Sequence, residues 1–226
     1  MADPVLQWAK RNQPRVIRLI RELVEIESPS DAPEAVERCM DWLAEHLRGL
    51  GAVRREQGSL HCSFRLQGRR EGSGTVLALG HADTVWPLGT LRTMKFRRAE
   101  GRLWGPGVLD MKAGLVFFIH AMLALRELDI PVAHDVVLLV TPDEETGSRK
   151  SRALTTSASI SGRLPQQGAS HCCGSWWRKA HSMMSTARRG GSAMGRGFGV
   201  ECARYSGCGL QKIRDQSSST FLSMLR

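Results

Sequence analysis

The stretch 135-DVVLLVTPDEETGS-148 decides the fold. Its apolar run from Val136 to Val140 is too short for a helix and is bounded by Pro142, so it predicts a buried strand. The strand ends in three consecutive acids, Asp143, Glu144 and Glu145. Upstream, 75-TVLALGHADTV-85 has the same construction, an apolar strand that finishes in His81 and Asp83. Between them, 105-GPGVLDMKAG-114 is a glycine-rich turn that carries Asp110. Helical spacing follows over 111–128, with Leu115, Phe118, Ile119, Met122 and Leu125 on one face and a break at Pro131. Strand, helix and strand in that order predict an α/β fold, with a mostly parallel sheet flanked by helices. Ligands of such sheets sit beyond the carboxyl ends of the strands. His81, Asp83, Asp110, Glu144 and Glu145 would then share one rim.

Outward from this centre the patterns are regular. Residues 5–27 place Leu6, Val16, Leu19, Ile20, Leu23 and Val24 at helical intervals. A turn, 28-SPSDAP-33, precedes a second amphipathic helix over 33–49 that stops at Gly51. Ala52–Gln57 and His61–Gln67 read as a strand pair across Gly58 and Ser59, and Met94–Ala99 with Arg102–Trp104 as a hairpin around Glu100 and Gly101. No run of eighteen apolar residues occurs, so no membrane span is expected. The N-terminal segment has no apolar signal-peptide core, which points to a cytoplasmic protein. Cys39 and Cys62 fall inside a helix and a strand pattern and are expected to be reduced core residues.

The net charge of +10 suggests nucleic acid until it is divided along the chain. Residues 1–148 carry 19 basic and 20 acidic groups, while residues 149–226 carry 13 basic and 2 acidic groups. An asymmetry of this size marks two units. The expected division is 1–150, an α/β catalytic portion, and 151–226, an irregular basic tail rich in Ser, Gly and Arg.

Each motif has a plain reading beside a chemical one. His81 is either a strand-end histidine or a metal ligand whose other ring nitrogen is held by Asp83. Asp110 caps the following helix, or it bridges two metal ions. The acids at 143–145 form a solvated turn, or they are a cluster whose mutual repulsion a cation relieves, one glutamate binding metal and its neighbour taking a proton from water. Three such sites at three strand or turn ends of one α/β unit favour the metal reading for the set His81, Asp83, Asp110, Glu144 and Glu145.

In order and interval, GHADTV, GPGVLDMKAG and TPDEETGS resemble the three signature motifs of the glutamate carboxypeptidase, acetylornithine deacetylase and aminoacylase family, over residues 5–150. The resemblance implies the N-terminal part of a zinc-peptidase-like catalytic domain. It implies two Zn2+ ions per site and hydrolysis of peptide or N-acyl amino acid amide bonds in small substrates. His81 would ligate one zinc and Asp83 would orient it. Asp110 would bridge both ions, with a cis peptide bond to Met111, Glu144 would be the general base, and Glu145 would ligate the other zinc. Trp86-Pro87 after GHADTV points to the glutamate carboxypeptidase branch.

The chain also departs from the family. The family takes a further acidic ligand about two dozen residues past the Glu-Glu pair, yet no acid lies between Glu145 and Glu201. His171 and His181 lack the context of the family's late histidine ligand, and the family's homodimer-forming domain has no counterpart. The resemblance therefore implies impaired turnover, with the family sequence truncated or frame-shifted beyond about 150. The alternative is a non-catalytic fragment whose tail binds nucleic acid through Arg188, Arg189, Arg196 and Arg204 beside Trp176, Trp177 and Tyr205. The spacing of the tail cysteines and histidines fits no zinc finger, and charge alone is a thin argument for nucleic acid.

Overall fold

The computed structural model describes residues 3–71, 74–155 and the backbone of 199–200. Helix α1, Pro4–Glu25, begins where the Asp3 side chain accepts the Val5 amide at 2.8 Å. It buries Trp8, Leu19, Ile20, Leu23 and Val24. Helix α2, Pro33–Arg48, buries Val36, Cys39, Met40, Leu43 and Leu47 along the stripe its spacing predicts. Strands β1 (Gly51–Glu56) and β2 (Ser59–Phe64) form an antiparallel hairpin. Its turn is Gln57-Gly58, one residue earlier than the sequence reading. Both residues take positive φ, 50° and 78°, which a two-residue turn matched to the strand twist requires.

Strand β3 (Thr75–His81) is followed by the short pair β4 (Arg97–Ala99) and β5 (Arg102–Trp104), joined across Glu100-Gly101. Helix α3, Ala113–Glu127, then leads to β6, Asp135–Thr141. The two-residue strand β7, Gly199–Val200, runs parallel to β5.

The main sheet has the order β1-β2-β6-β3. Only β3 and β6 run parallel; β2 pairs antiparallel with β6, and β1 with β2. The α/β class and the flanking helices hold, but among the described strands the sheet is mixed rather than mostly parallel. The reason is local: β1 and β2 are a tight hairpin, which forces one antiparallel pair, and β2 then docks antiparallel on β6. The crossover through α3 makes β3 and β6 parallel, and that pair carries the functional residues.

Val136, Leu138 and Val140 of β6, Leu60 and Cys62 of β2, and the apolar faces of all three helices form one core. Phe64 meets Phe118 edge to face, with ring centroids 5.6 Å apart. Val108–Glu127 reaches a mean hydropathy of 1.8, enough in length and composition for a membrane span, but 72% of that window is buried inside the molecule. It serves here as the core helix. Cys39 and Cys62 are buried free thiols, in line with the sequence reading. Of the tail, residues 152 and 155 make helical hydrogen bonds to 148 and 151. Residues 156–198 and 201–226 lie outside the described residues, and so does the expectation of nucleic-acid binding there.

The core contains a buried histidine. His120 sits under Trp8, with ring centroids 6.3 Å apart, and pairs through Nδ1 with the Val116 carbonyl at 3.1 Å. Burial lowers its pKa; the Val116 carbonyl and Glu127 oppose that shift, while Arg15 and His46 add to it. A base whose folded pKa lies below 6.5 is protonated first in the unfolded chain. Stability is therefore lost as pH falls from 6.5 through the folded pKa. His120→Phe is expected to show a smaller drop in urea midpoint between about pH 7 and 5 than the wild type. Equal drops would show that His120 is not held neutral.

Candidate metal centre

Parallel pairing sets the site. In the β3–β6 register Gly80 faces Val140 and His81 faces Thr141, so the two strands finish level. The chain then leaves β3 through Ala82-Asp83 and β6 through Pro142-Asp143, with Glu144–Thr146 forming a short 3-10 turn. Asp110 reaches the same edge from the loop between β5 and α3. There Gly107 has φ +68°, and an added Cβ would lie 2.7 Å from Thr84 Cγ2, so only glycine lets this loop close against the segment that follows β3. The Asp110-Met111 peptide bond is cis.

The five residues picked out from the sequence meet at this edge. His81, 5% exposed, has Nδ1 3.0 Å from the Asp83 carbonyl oxygen and 3.4 Å from Asp83 Oδ1. Its Nε2 lies 3.1 Å from Asp110 Oδ1 and 3.9 Å from Glu144 Oε2. One ligand atom each from His81, Glu144 and Glu145 falls within 4.8 Å of the others. Glu144 is about half exposed, and Asp110 is one-third exposed.

Asp83 has partners that the sequence did not suggest. Its carboxylate is fully buried and accepts the Glu144 amide at 3.1 Å through Oδ1. Through Oδ2 it accepts the Glu145 amide at 3.0 Å and the Ser30 hydroxyl at 2.6 Å. One side chain thus ties the end of β3 to the turn after β6 and to the α1–α2 connection. Lys112 is another residue missed in the sequence. It is 1% exposed and donates from Nζ to the Ile26 carbonyl, with burial lowering its pKa against the pull of Cys39 and Glu27. The sequence cue was its place directly after Asp110-Met111, where a charged residue enters an otherwise apolar helix start.

The electrostatics describe a site crowded with negative charge. Burial pushes the Glu145 carboxyl up to about 7, and Asp110, Glu144 and Asp83 add to that shift while His81 opposes it. Burial alone would lower the His81 pKa, but the hydrogen bonds it donates to Asp110 and Asp83, and the charges of both, push it up to about 10. A cation at this point relieves both distortions. The donors suit one, because imidazole nitrogen and carboxylate oxygen are zinc-type ligands. Two such donors bonded at about 2.0–2.2 Å to one tetrahedral ion lie about 3.3 Å apart. The observed 3.1 Å between His81 Nε2 and Asp110 Oδ1 fits that spacing.

Residues 77–186 match Peptidase family M20/M25/M40. The matched span opens inside β3 and contains all three motifs. Carboxypeptidase G2 of Pseudomonas sp. (strain RS-16) is 32% identical over 157 residues, 67% of this chain and 38% of that protein. Succinyl-diaminopimelate desuccinylase of Delftia acidovorans is 32% identical over 144 residues, 58% of this chain and 36% of that protein. The crystal structure of human carnosine dipeptidase 1 superposes with a TM-score of 0.60 at 24% identity, covering 70% of this chain and 38% of that one. This chain thus spans less than two fifths of the curated relatives it matches. An α/β sheet with an imidazole and carboxylates converging at its carboxyl edge agrees with these matches. The chain carries part of a peptidase family M20/M25/M40 domain.

Proposed function

We propose that this chain carries the metal-holding and proton-transferring portion of a hydrolase of peptide or N-acyl amino acid amide bonds, glutamate carboxypeptidase-like in its motifs. The observation that carries the reading is the convergence of His81, Asp110, Glu144 and Glu145 on one edge, where burial and the neighbouring carboxylates push the Glu145 carboxyl up to about 7. By their names, a carboxypeptidase and a desuccinylase among the relatives support amide substrates of this kind.

In this reading His81, Asp110 and Glu145 would hold divalent metal, zinc by donor type, with Asp110 Oδ1 standing 3.1 Å from His81 Nε2. Bound there, the metal supplies a Lewis acid that polarises a carbonyl and makes water easier to deprotonate. Glu144, the more exposed glutamate, accepts the proton of the attacking water and later delivers it to the leaving nitrogen. Asp83 holds His81 through its carbonyl and carboxylate and leaves Nε2 aimed into the site. Among the described residues one imidazole joins the carboxylates, about half of what two four-coordinate ions take. That no acid stands between Glu145 and Glu201 supports impaired turnover in this chain.

The test is amino acid release from dipeptides and N-acyl glutamates by the zinc-supplemented chain. Slow, chelator-sensitive release is expected, falling by at least about 100-fold in Glu144→Gln with zinc still bound. Release that survives chelation, release that survives Glu144→Gln, or none from the zinc-loaded wild type would overturn the hydrolase reading.

A further inference from the structure

We propose that Ser30 is a positioning residue for the Glu144–Glu145 pair and acts through Asp83. The inference rests on the metal-centre reading and adds a residue to it. Glu144 and Glu145 stand at the start of a short turn, so the directions of their side chains follow from where their backbone amides are fixed. Both amides are fixed by one group, the Asp83 carboxylate, at 3.1 and 3.0 Å. That carboxylate is itself held from one other side by a neutral donor, the Ser30 hydroxyl, at 2.6 Å. A hydroxyl is the fitting donor here, because it orients a buried carboxylate without adding a charge that would compete with a bound cation.

Ser30 is firmly placed. Its amide donates to the Thr84 carbonyl at 3.2 Å, and the Thr84 amide donates to the Ser28 carbonyl at 2.8 Å. The Ser28 hydroxyl donates to the Ala82 carbonyl at 2.7 Å, inside the protein. Residues 28–30 thus run alongside 82–84, with a parallel bridge between Pro29 and Thr84, like a short added strand. Without the Ser30 hydroxyl, Asp83 Oδ2 keeps the Glu145 amide but loses the shortest of the carboxylate's hydrogen bonds. The turn then relaxes under the repulsion between Glu144, Glu145 and Asp110.

The experiment measures zinc affinity by competition with a chromogenic chelator, and amide hydrogen exchange at residues 144–145, in the full 226-residue chain. Wild type, Ser30→Ala, Ser30→Thr and Glu145→Gln are compared. Outer partners of metal ligands are worth about 10–100-fold in affinity. Ser30→Ala is expected to weaken zinc binding by at least about tenfold and to speed exchange at Glu144 and Glu145, with Ser30→Thr close to wild type on both counts. Zinc affinity and exchange unchanged in Ser30→Ala, while Glu145→Gln loses zinc, would overturn this role and leave the metal centre standing. No zinc binding by the wild type would overturn the metal centre and this inference with it. If Ser30→Ala does not fold, Ser30→Cys, close in shape and a weak donor, carries the same comparison.

Discussion

Replacing His81 by alanine is expected to weaken zinc binding by more than about 100-fold, read by isothermal titration. An outer partner of a metal ligand is worth about 10–100-fold, so a ligand removed outright costs more. Among the described residues, His81 is the nitrogen donor of the cluster, and what remains around Asp110, Glu144 and Glu145 is carboxylate. Carboxylates alone bind magnesium or calcium as readily as zinc, so zinc selectivity should fall along with affinity. His81 packs at the end of β3, and its loss leaves the Asp83 carboxylate with the Ser30 hydroxyl and two amides. The fold should therefore survive, which separates loss of metal from loss of structure. Unchanged zinc affinity in a folded His81→Ala chain would place the metal, if any, elsewhere.

Asp83→Ala is expected to act on stability instead, lowering it by about 3–5 kcal/mol, the usual cost of removing one member of a buried charge pair. Asp83 is fully buried, and its removal strands three donors at once, the amides of Glu144 and Glu145 and the Ser30 hydroxyl. It also leaves the His81 imidazole without its nearest buried counter-charge. A urea titration followed by tryptophan fluorescence reads the change as a lower midpoint. Asp83→Asn, which keeps one acceptor oxygen, should fall between Asp83→Ala and wild type. If Asp83→Ala costs less than about 1 kcal/mol, the three hydrogen bonds are not what joins the ends of β3 and β6.

These two variants also show which parts of the architecture the sequence makes visible. β3, α3 and β6 are legible because each has an unmixed local pattern: apolar runs bounded by Gly80 and Pro142, and a helical stripe that ends before Pro131. The rim is legible for the same reason, since His81 and Glu144 stand directly after those runs. The mixed sheet is not, because the antiparallel docking of β2 on β6 is a contact between distant segments and leaves no periodic trace. The Gln57-Gly58 turn escapes notice because glutamine is an unusual residue at φ +50°. Asp83 is the clearest case. Its pairing with His81 is two residues long and easy to foresee, although the shorter contact uses the Asp83 carbonyl at 3.0 Å rather than the carboxylate at 3.4 Å. Its bonds to Ser30, Glu144 and Glu145 span 53 to 62 residues and emerge only once the strands align. Ser30 reads from the sequence as one more capping candidate in 28-SPSDAP-33, and nothing local distinguishes it.

The most direct measurement is anomalous scattering at the zinc edge from crystals of the chain grown with zinc. The account predicts a peak within bonding distance of His81 Nε2 and of carboxylate oxygens from Asp110 and Glu145. A zinc-replete crystal with its only peaks at other side chains, or with none at the carboxyl ends of β3 and β6, would contradict it.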